Sequence, residues 1–432
     1  MTRDHMHLVM TFEPAGAGWR QQNSNAESLL TLDYYAGVAK QAEEAKLDAV
    51  FRHDLPSVDL NRIGSTAGIG IEPLTLLSAV AARTHDIGII ATASTTFSEP
   101  YNVARAFATL DHLSAGRVGW NVVTSSAGER NFNYETLPTQ QERYSRAQEF
   151  IDVTRRLWRS WESDAWVLDR ERGVFADIAR VKSINHRGQH FKVEGPLDIP
   201  RSPQVEPVLV QAGASESGRT FAAQFAELVF TAAQSVEQAA EFRTDMRRRA
   251  IQSSRSPDDL VVLPGIKTII ADTGHEVKSL NRQLRDLIDV TAGRADLEKA
   301  MGFVDLSGID LDETIPAERL AFDEQTLRRR QSRPALFRHL AIERKYTLRR
   351  LIEEQVISSG HYIAVGTPDT IANLLESWYR SDAADGFVII PAVANAPAFI
   401  DGVVPILKNR GLFRRDYEYG TLRENLGFAA RT

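Results

Sequence analysis

The chain has 432 residues, 43% of them hydrophobic and 25% charged, and carries a formal net charge of −6. This composition is typical of a folded globular protein, and the interspersed charges argue against a nucleic-acid-binding surface. The absence of cysteine excludes disulfides, thiolate nucleophiles and cysteine-ligated metal ions, and the ten histidines show no metal-ligand spacing.

Two further features bear on partners and compartment. No apolar run approaches the roughly 18 residues of a membrane-spanning helix, and the polar start at residues 1–7 has no signal-peptide core. Arginine clusters at 247–249 and 328–330 lie in charge-mixed, helix-like stretches, which indicates solvated helix faces. We therefore expect a cytoplasmic protein that binds neither membrane nor nucleic acid.

Eight apolar runs alternate with helical patterns along the chain, and each run suits a strand buried on both faces. The runs are 8–12, 49–51, 87–93, 118–123, 208–211, 228–233, 261–270 and 387–390. Clear helical patterns lie at 32–45, 73–82, 147–161 and 218–226. A strand followed by a helix, repeated eight times, predicts an α/β fold, specifically a (β/α)₈ TIM barrel.

Two intervals are too long for one strand–helix unit. Residues 164–207 are rich in glycine and proline, and we expect an irregular insertion after the fourth strand. Residues 272–360 are charged and helical in pattern, and we expect a helical excursion after the seventh strand that serves as a lid. With no linker in view, the whole chain, 1–432, is predicted to be a single domain.

Polar residues follow several of the predicted strands, at the end of a TIM barrel where ligands bind. Asp54 lies just beyond the second run, Thr92 lies within the third, and Asn121 lies within the fourth, close to Thr124 and Ser125. A carboxylate, a hydroxyl and an amide here could bracket a planar ligand. The alternatives are a turn or capping aspartate, and threonines chosen only for β-propensity.

A second group of candidates points to a phosphate. After the strand at 208–211, small residues lead through Ser215 into a helix, where backbone N–H groups and a hydroxyl can hold an anion. Tyr144 could donate a hydrogen bond to the same phosphate. An ordinary turn with Ser215 as helix cap, and a tyrosine that only packs on the barrel, explain these residues equally well.

Several of these stretches occur together in one known family. The run 110–125, the triplet at 142–144 and the segments 365–368 and 421–427 closely resemble the bacterial luciferase-like flavin-dependent monooxygenases. The resemblance is strongest to the group of nitrilotriacetate, dibenzothiophene-sulfone and long-chain alkane monooxygenases. No single motif is specific to this family, but the presence of all these motifs in this order is.

The resemblance implies a two-component FMN-dependent monooxygenase. Reduced FMN comes from a separate NAD(P)H:flavin reductase, with free diffusion as one route, and O₂ is the co-substrate. Oxygen adds at the flavin C4a atom, so no catalytic side chain is assigned and no metal is required. The substrate would be a small organic molecule, such as an organosulfur or amino-polycarboxylate compound, and the protein a homo-oligomer.

The resemblance also implies which residues contact the cofactor. These are Asp54, Thr92, Asn121, Gln140, Tyr144 and Ser215. This chain departs from the family at Gln140, which replaces a histidine, and in a shorter loop after Ser125. An amide donates a hydrogen bond but does not titrate near neutral pH.

Three alternatives remain at this point. A deazaflavin-dependent oxidoreductase uses the same barrel, but the chain length and the Trp120-Asn121 segment favour the monooxygenase. A catalytically silent flavin-binding barrel would be compatible with Gln140 and the short loop. A metal-dependent barrel hydrolase would need ligand clusters that the sequence does not contain.

Overall fold

A closed barrel of eight parallel strands forms the centre of the computed structural model. The structure describes residues 5–12, 16–60, 63–65, 70–213, 215–320, 332–392 and 395–431. The strands are β1 His7–Thr11, β2 Ala49–Arg52, β3 Gly88–Ser94, β4 Val118–Val123, β5 Trp166–Asp169, β6 Val174–Ala176, β7 His186–Arg187, β8 Lys192–Val193, β9 Val208–Ala212, β10 Leu228–Thr231, β11 Val261–Ile270, β12 Tyr362–Gly366 and β13 Gly386–Pro391. The barrel runs β1-β2-β3-β4-β9-β10-β11-β13 and closes by pairing β13 with β1. This confirms the predicted TIM barrel, and each predicted run falls on a barrel strand.

Alternation along each strand separates two apolar layers. On β4, Val118, Trp120 and Val122 belong to the cluster between barrel and helices, whereas Val210 and Phe230 on β9 and β10 pack inside the barrel. Leu209 and Val229, on the other face of β9 and β10, pack in the cluster against the helices. Both faces of β9 and β10 are therefore apolar, which is why these strands read as continuous hydrophobic runs in the sequence.

Most of the helices cover the outside of the barrel, while α13 lies at its N-terminal end and α8 to α10 form a separate group. They are α1 Leu32–Glu44, α2 Pro73–Ala81, α3 Pro100–Leu113, α4 Gln140–Trp158, α5 Glu216–Phe225, α6 Val236–Gln252, α7 Gly274–Asp286, α8 Val290–Ala300, α9 Ser332–Ile342, α10 Leu348–Ser358, α11 Pro368–Arg380, α12 Val404–Asn409 and α13 Leu422–Asn425. Within the described ranges, none of them has the length and apolar character needed to cross a membrane. Helix α4 starts seven residues before its predicted position because Thr139 and Glu142 form a reciprocal capping box at its N-terminus.

Strand β12 is an element that the apolar runs do not predict. It pairs in parallel with the second half of β11, where Ile266 lies opposite Tyr362 and Ile270 opposite Gly366. Strand β10 pairs with β11 only as far as Pro264. Because β11 is ten residues long, it extends beyond β10 and leaves an edge that β12 occupies.

The interval 164–207 contains two small hairpins, β5–β6 and β7–β8. The second is held to α4 because Glu149 accepts hydrogen bonds from the His186 ring and from the backbone of His190 and Phe191. The first hairpin and the turn after it expose large apolar side chains, with Phe175 at 67% and Ile178 at 87%.

The interval 272–360 contains α7 to α10. Helices α8, α9 and α10 share an apolar core of their own built around Leu297, Phe337 and Leu351, whereas α7 packs through Leu284 against Ile269 of β11. It contacts the loops at the barrel mouth: Arg20 donates to the carbonyl of Leu287 at 2.8 Å, and Lys299 pairs with Asp59 at 2.6 Å. Residues 321–331, including the predicted solvated cluster 328–330, lie outside the described residues. In the other arginine cluster, Arg247 pairs with Asp385 and Arg249 with Asp245.

The N-terminal end of the barrel is covered by α13. Leu422 and Leu426 pack into the interior cluster, and Arg423 between them forms an ion pair with Glu227. Candidate residues at the C-terminal ends of the strands therefore lie at the opposite end of the barrel, which we call the mouth.

Candidate functional site

Thr92 and Asn121 form a buried polar pair inside the barrel at the mouth. They are register partners on β3 and β4, and their strand neighbours Ala91 and Trp120 face outward into the helix layer. Asn121 Nδ2 donates to Thr92 Oγ1 at 2.9 Å, and Thr92 Oγ1 donates to the carbonyl of Arg52 at 2.9 Å. Asn121 Oδ1 is buried and has no hydrogen-bond partner among the residues that the structure describes, so it is available to a ligand donor.

We expect Thr92→Val to lower the free energy of unfolding by about 1–3 kcal/mol, because the Asn121 amide loses its acceptor and the Arg52 carbonyl loses its donor. Thr268→Val is the matched control, since the buried Thr268 hydroxyl has no hydrogen-bond partner within the described part of the chain. That control should be neutral or stabilising. Urea denaturation measures both, and equal effects of the two substitutions would contradict the role given to Thr92.

Asp54 lies beyond the end of β2, next to the strand that carries Thr92, and is half-buried. Burial raises the pKa of its carboxyl, the charge of Glu72 raises it further, and His53 and Arg52 oppose the shift. Its carboxylate also accepts a hydrogen bond from the backbone of Leu55, as the turn interpretation expects. The Asp54 carboxyl therefore loses its proton at a higher pH than an ordinary aspartate does.

The loops after β2 and β4 are joined into one wall of the mouth. Asn131 Nδ2 donates to the carbonyl of Pro56 at 2.9 Å. Gly128 has a φ of +93°, and a β carbon there would lie 3.0 Å from the same carbonyl oxygen. The close approach therefore requires glycine, and it links the shorter loop after Ser125 to the loop that carries Asp54.

Two arginines fasten the start of α4 to the ends of β3 and β4. Arg143 Nε donates to the carbonyl of Thr124 at 3.0 Å, and Arg146 Nε donates to that of Thr95 at 3.1 Å. Gln140 and Tyr144 are one helical turn apart on this segment and share a face. Sequence reasoning did not single out the two arginines, although Arg143 is part of the triplet at 142–144.

Tyr144 and Ser215 meet at the N-terminus of α5. Ser215 caps the helix by accepting a hydrogen bond from the backbone of Gly218 at 3.1 Å, and the Tyr144 ring packs edge-on against Phe221. A β carbon on Gly218 would lie 3.0 Å from Ser215 Oγ and 3.3 Å from the Tyr144 hydroxyl. Both hydroxyls therefore border one small space that the glycine leaves open.

The helix-cap and packing interpretations of Ser215 and Tyr144 are thus both observed, and neither uses the hydroxyl protons. These protons and the α5 N-terminus suit an anion. Glu216, the acidic residue next to the space, is paired with Arg249 at 2.8 Å, which offsets its charge. The structure thus forms two groups at the mouth, Thr92 with Asn121 and Tyr144 with Ser215.

Comparisons with known proteins agree with this architecture. The family model described as luciferase-like monooxygenase matches residues 6–385. N-acetyl-S-(2-succino)cysteine monooxygenase of Bacillus subtilis is 41% identical over 415 residues, covering 95% of this chain and 93% of that protein. Nitrilotriacetate monooxygenase component A of Aminobacter aminovorans is 38% identical over 442 residues, covering 98% and 96%.

Solved structures extend the comparison. The crystal structure of a riboflavin lyase with modified FMN and riboflavin has a TM-score of 0.86 and 28% identity, covering 99% of this chain and 96% of that one. F420-dependent enzymes match at 14% identity, which shows a shared fold alone.

Dibenzothiophene-sulfone and long-chain alkane monooxygenases are also among the relatives, as the motifs indicated. The chain is therefore a monooxygenase and belongs to the luciferase-like monooxygenase family.

Proposed function

We propose that this chain is the oxygenase component of a two-component system that uses reduced FMN and O₂ to oxygenate a small organic substrate. The observation that carries the proposal is the convergence of the Ser215 and Tyr144 hydroxyls beside Gly218, at a helix N-terminus. The relative whose crystal structure holds modified FMN supports the choice of nucleotide.

The residues of the mouth fit this cofactor. Ser215, Tyr144 and the backbone N–H groups of α5 would hold the phosphate. The buried Asn121 oxygen needs a hydrogen-bond donor, and an N–H or hydroxyl of the flavin and its ribityl chain would supply one. Gln140, one turn before Tyr144, can contribute a neutral hydrogen bond.

Bound reduced FMN would supply the electrons that activate O₂, and the protein's part is to bind, orient and exclude water. Burial raises the pKa of Asp54, so its carboxyl binds a proton more tightly than an ordinary aspartate does, and its oxygens can hydrogen-bond a ligand at the mouth. Gln140 does not titrate, so no acid–base role falls on that position.

The relatives also support a partner and a substrate class for this chain. One relative is named as component A, which supports a separate flavin reductase as the partner. Relatives acting on N-acetyl-S-(2-succino)cysteine and nitrilotriacetate favour a small organosulfur or amino-polycarboxylate substrate. The proposed lid over the mouth is the interval 272–360. The exposed apolar side chains of Phe175 and Ile178 support a homo-oligomer, because such surfaces are often covered by a partner subunit.

We expect the purified protein to consume no O₂ with NADH alone, because the reducing equivalents must reach it as reduced FMN. Adding FMN and an NADH:flavin reductase should start product formation from a panel of organosulfur, amino-polycarboxylate, alkane and haloaromatic compounds. Substrate-dependent turnover with NADH and no reductase would contradict the two-component scheme.

A binding titration with reduced FMN and reduced deazaflavin, together with the same assay, separates the alternatives. A deazaflavin-dependent oxidoreductase would bind reduced deazaflavin in preference to reduced FMN. A catalytically silent barrel would bind FMN without forming an oxygenated product from any member of the panel.

A further inference from the structure

Two phenylalanines meet across the inside of the barrel, near the C-terminal ends of their strands. Phe51 is carried by β2 and Phe230 by β10, which are four strands apart in the closed order of eight and therefore lie opposite each other. Their ring centroids are 5.0 Å apart in an edge-to-face arrangement, and both side chains belong to the interior cluster. The two rings thus close the interior at this level, and we call them the aromatic floor of the mouth.

Small residues leave space above the aromatic floor on one side. Ala212 follows the inward Val210 on β9, Ala232 follows the inward Phe230 on β10, and both alanines are exposed. Ser215, the proposed phosphate ligand, comes shortly after β9. A nucleotide held at Ser215 can therefore extend over the aromatic floor.

The residues proposed to hold FMN occupy one half of the mouth. The strands that carry or precede them, β2, β3, β4 and β9, are consecutive in the barrel. The other half, formed by β10, β11, β13 and β1, is left to face the substrate. Strand β1 lies directly opposite β9, so the end of β1 is the part of this half farthest from the phosphate site.

Thr11, the last residue of β1, faces this half of the mouth. Val9 belongs to the interior cluster and Phe12 to the cluster between barrel and helices, so Thr11 lies on the inward face. Its register partner on β2 is Phe51. Thr11 therefore stands beside the aromatic floor.

The Thr11 hydroxyl is buried and has no hydrogen-bond partner within the described ranges of the chain. The inward side chains beside it, Phe51 on β2 and Ile390 on β13, are apolar. Lys267 of β11 is also inward in this half, but it already interacts with other groups of the protein.

A ligand oxygen would supply the acceptor that this hydroxyl lacks. A buried hydroxyl proton without an acceptor is costly. Thr11 keeps 7% of its surface exposed, and rotation about its χ1 bond exchanges the positions of hydroxyl and methyl group. The hydroxyl can therefore turn toward the space above the aromatic floor.

We propose that the substrate is a small thioether that lies on the aromatic floor, and that the Thr11 hydroxyl donates a hydrogen bond to a carbonyl or carboxylate oxygen near its sulfur. Sulfur packs favourably against aromatic ring edges, whereas the charged groups of an amino-polycarboxylate would lose water there without gaining a partner. The inference rests on the proposed function, because it chooses between the two substrate classes proposed for the same site.

The test compares methylthioacetone with isobutyl methyl sulfide, in which a methyl group replaces the ketone oxygen. Calorimetry is done on the protein with oxidised FMN, which prevents turnover. Thr11→Val should weaken binding of methylthioacetone by about tenfold and leave binding of isobutyl methyl sulfide and of FMN unchanged. Thr11→Ser, which keeps the hydroxyl, should retain the wild-type affinity for methylthioacetone. Iminodiacetate, an amino-polycarboxylate, should bind more weakly than either sulfide.

Thr268→Val is the matched control. The Thr268 hydroxyl is also buried and unpartnered among the described residues, but it lies on the outward face of β11, between Ile266 and Ile270. Its removal should change none of these affinities. Thr11→Val should be at least as stable as the wild-type protein in urea, because no hydrogen bond within the protein is lost. A weaker affinity of this variant is then a loss of ligand contact rather than of folding.

The outcomes are distinct. Equal losses for the two sulfides in Thr11→Val, or no loss for either, overturn the contact at Thr11. Iminodiacetate bound as tightly as methylthioacetone, or no binding of either sulfide, overturns the thioether assignment. Failure of the wild-type protein to bind FMN would instead contradict the proposed function. The same titrations on the FMN-free protein would then still decide the role of Thr11, since the aromatic floor and β1 belong to the barrel itself.

Discussion

The double variant Ser215→Ala with Tyr144→Phe is expected to bind FMN about 100-fold more weakly than the wild-type protein, because each lost hydroxyl removes a charge-assisted hydrogen bond to phosphate. Both hydroxyls border the space beside Gly218. Calorimetric titration with FMN measures the change, and each single substitution should account for about tenfold of it.

The control must separate ligand binding from helix capping, since Ser215 also caps α5. Ser235 caps α6 in the same way, by accepting a hydrogen bond from the backbone of Gln238 at 3.3 Å. Ser235→Ala should cost about 1 kcal/mol of stability, as Ser215→Ala should, and leave FMN affinity unchanged. Unchanged FMN affinity in the double variant would show that the phosphate is not bound at the N-terminus of α5.

Arg423→Met is expected to lower the free energy of unfolding by about 3–5 kcal/mol, because it leaves the buried Glu227 carboxylate without its main partner. Arg423 is 2% and Glu227 5% exposed, and they form a two-armed ion pair. Arg423 also donates to the carbonyl of Glu206 at 3.2 Å. Arg431, 2.9 Å from Glu227, compensates part of the loss.

Urea denaturation of three proteins tests this ion pair. Adding Glu227→Gln to Arg423→Met should recover part of the lost stability, since position 227 then carries no buried charge that lacks its main partner. Arg349→Met, which breaks an exposed pair with Asp312, should leave stability nearly unchanged. A loss for Arg423→Met no larger than for Arg349→Met would contradict the importance of the pair.

The same carboxylate makes stability depend on pH. Burial alone would raise the pKa of Glu227, but the guanidinium groups of Arg423 and Arg431 hold it at about 2, below the ordinary value of 4.5. Because the folded-state value is depressed, the stabilisation is complete above pH 4.5 and is lost as the pH falls toward 2. In the Arg423→Met variant, the free energy of unfolding should therefore fall less steeply than in the wild-type protein as the pH is lowered from 4.5 toward 2.

Much of the barrel was predictable from the chain alone. A strand that is buried on both faces is apolar at most successive positions, so β9 and β10 are visible as continuous runs without any knowledge of their neighbours. Helix patterns at α1 and α2 were equally clear, because each helix buries one face against the barrel. The resemblance of the segments 110–125 and 421–427 to a known family then supplied the activity.

The tertiary structure alone determines which distant segments of the chain come into contact. Strand β12 pairs with the part of β11 that extends past β10. Just before β12, the carbonyl of His361 accepts a hydrogen bond from the side chain of Gln234. Likewise, Arg423 and Glu227 are 196 residues apart in the sequence and form a buried ion pair only because α13 packs against the N-terminal end of the barrel. Periodicity and capping act over a few residues, whereas strand register and packing between helices depend on the whole fold, so a sequence pattern identifies the elements and the three-dimensional packing determines which side chains meet.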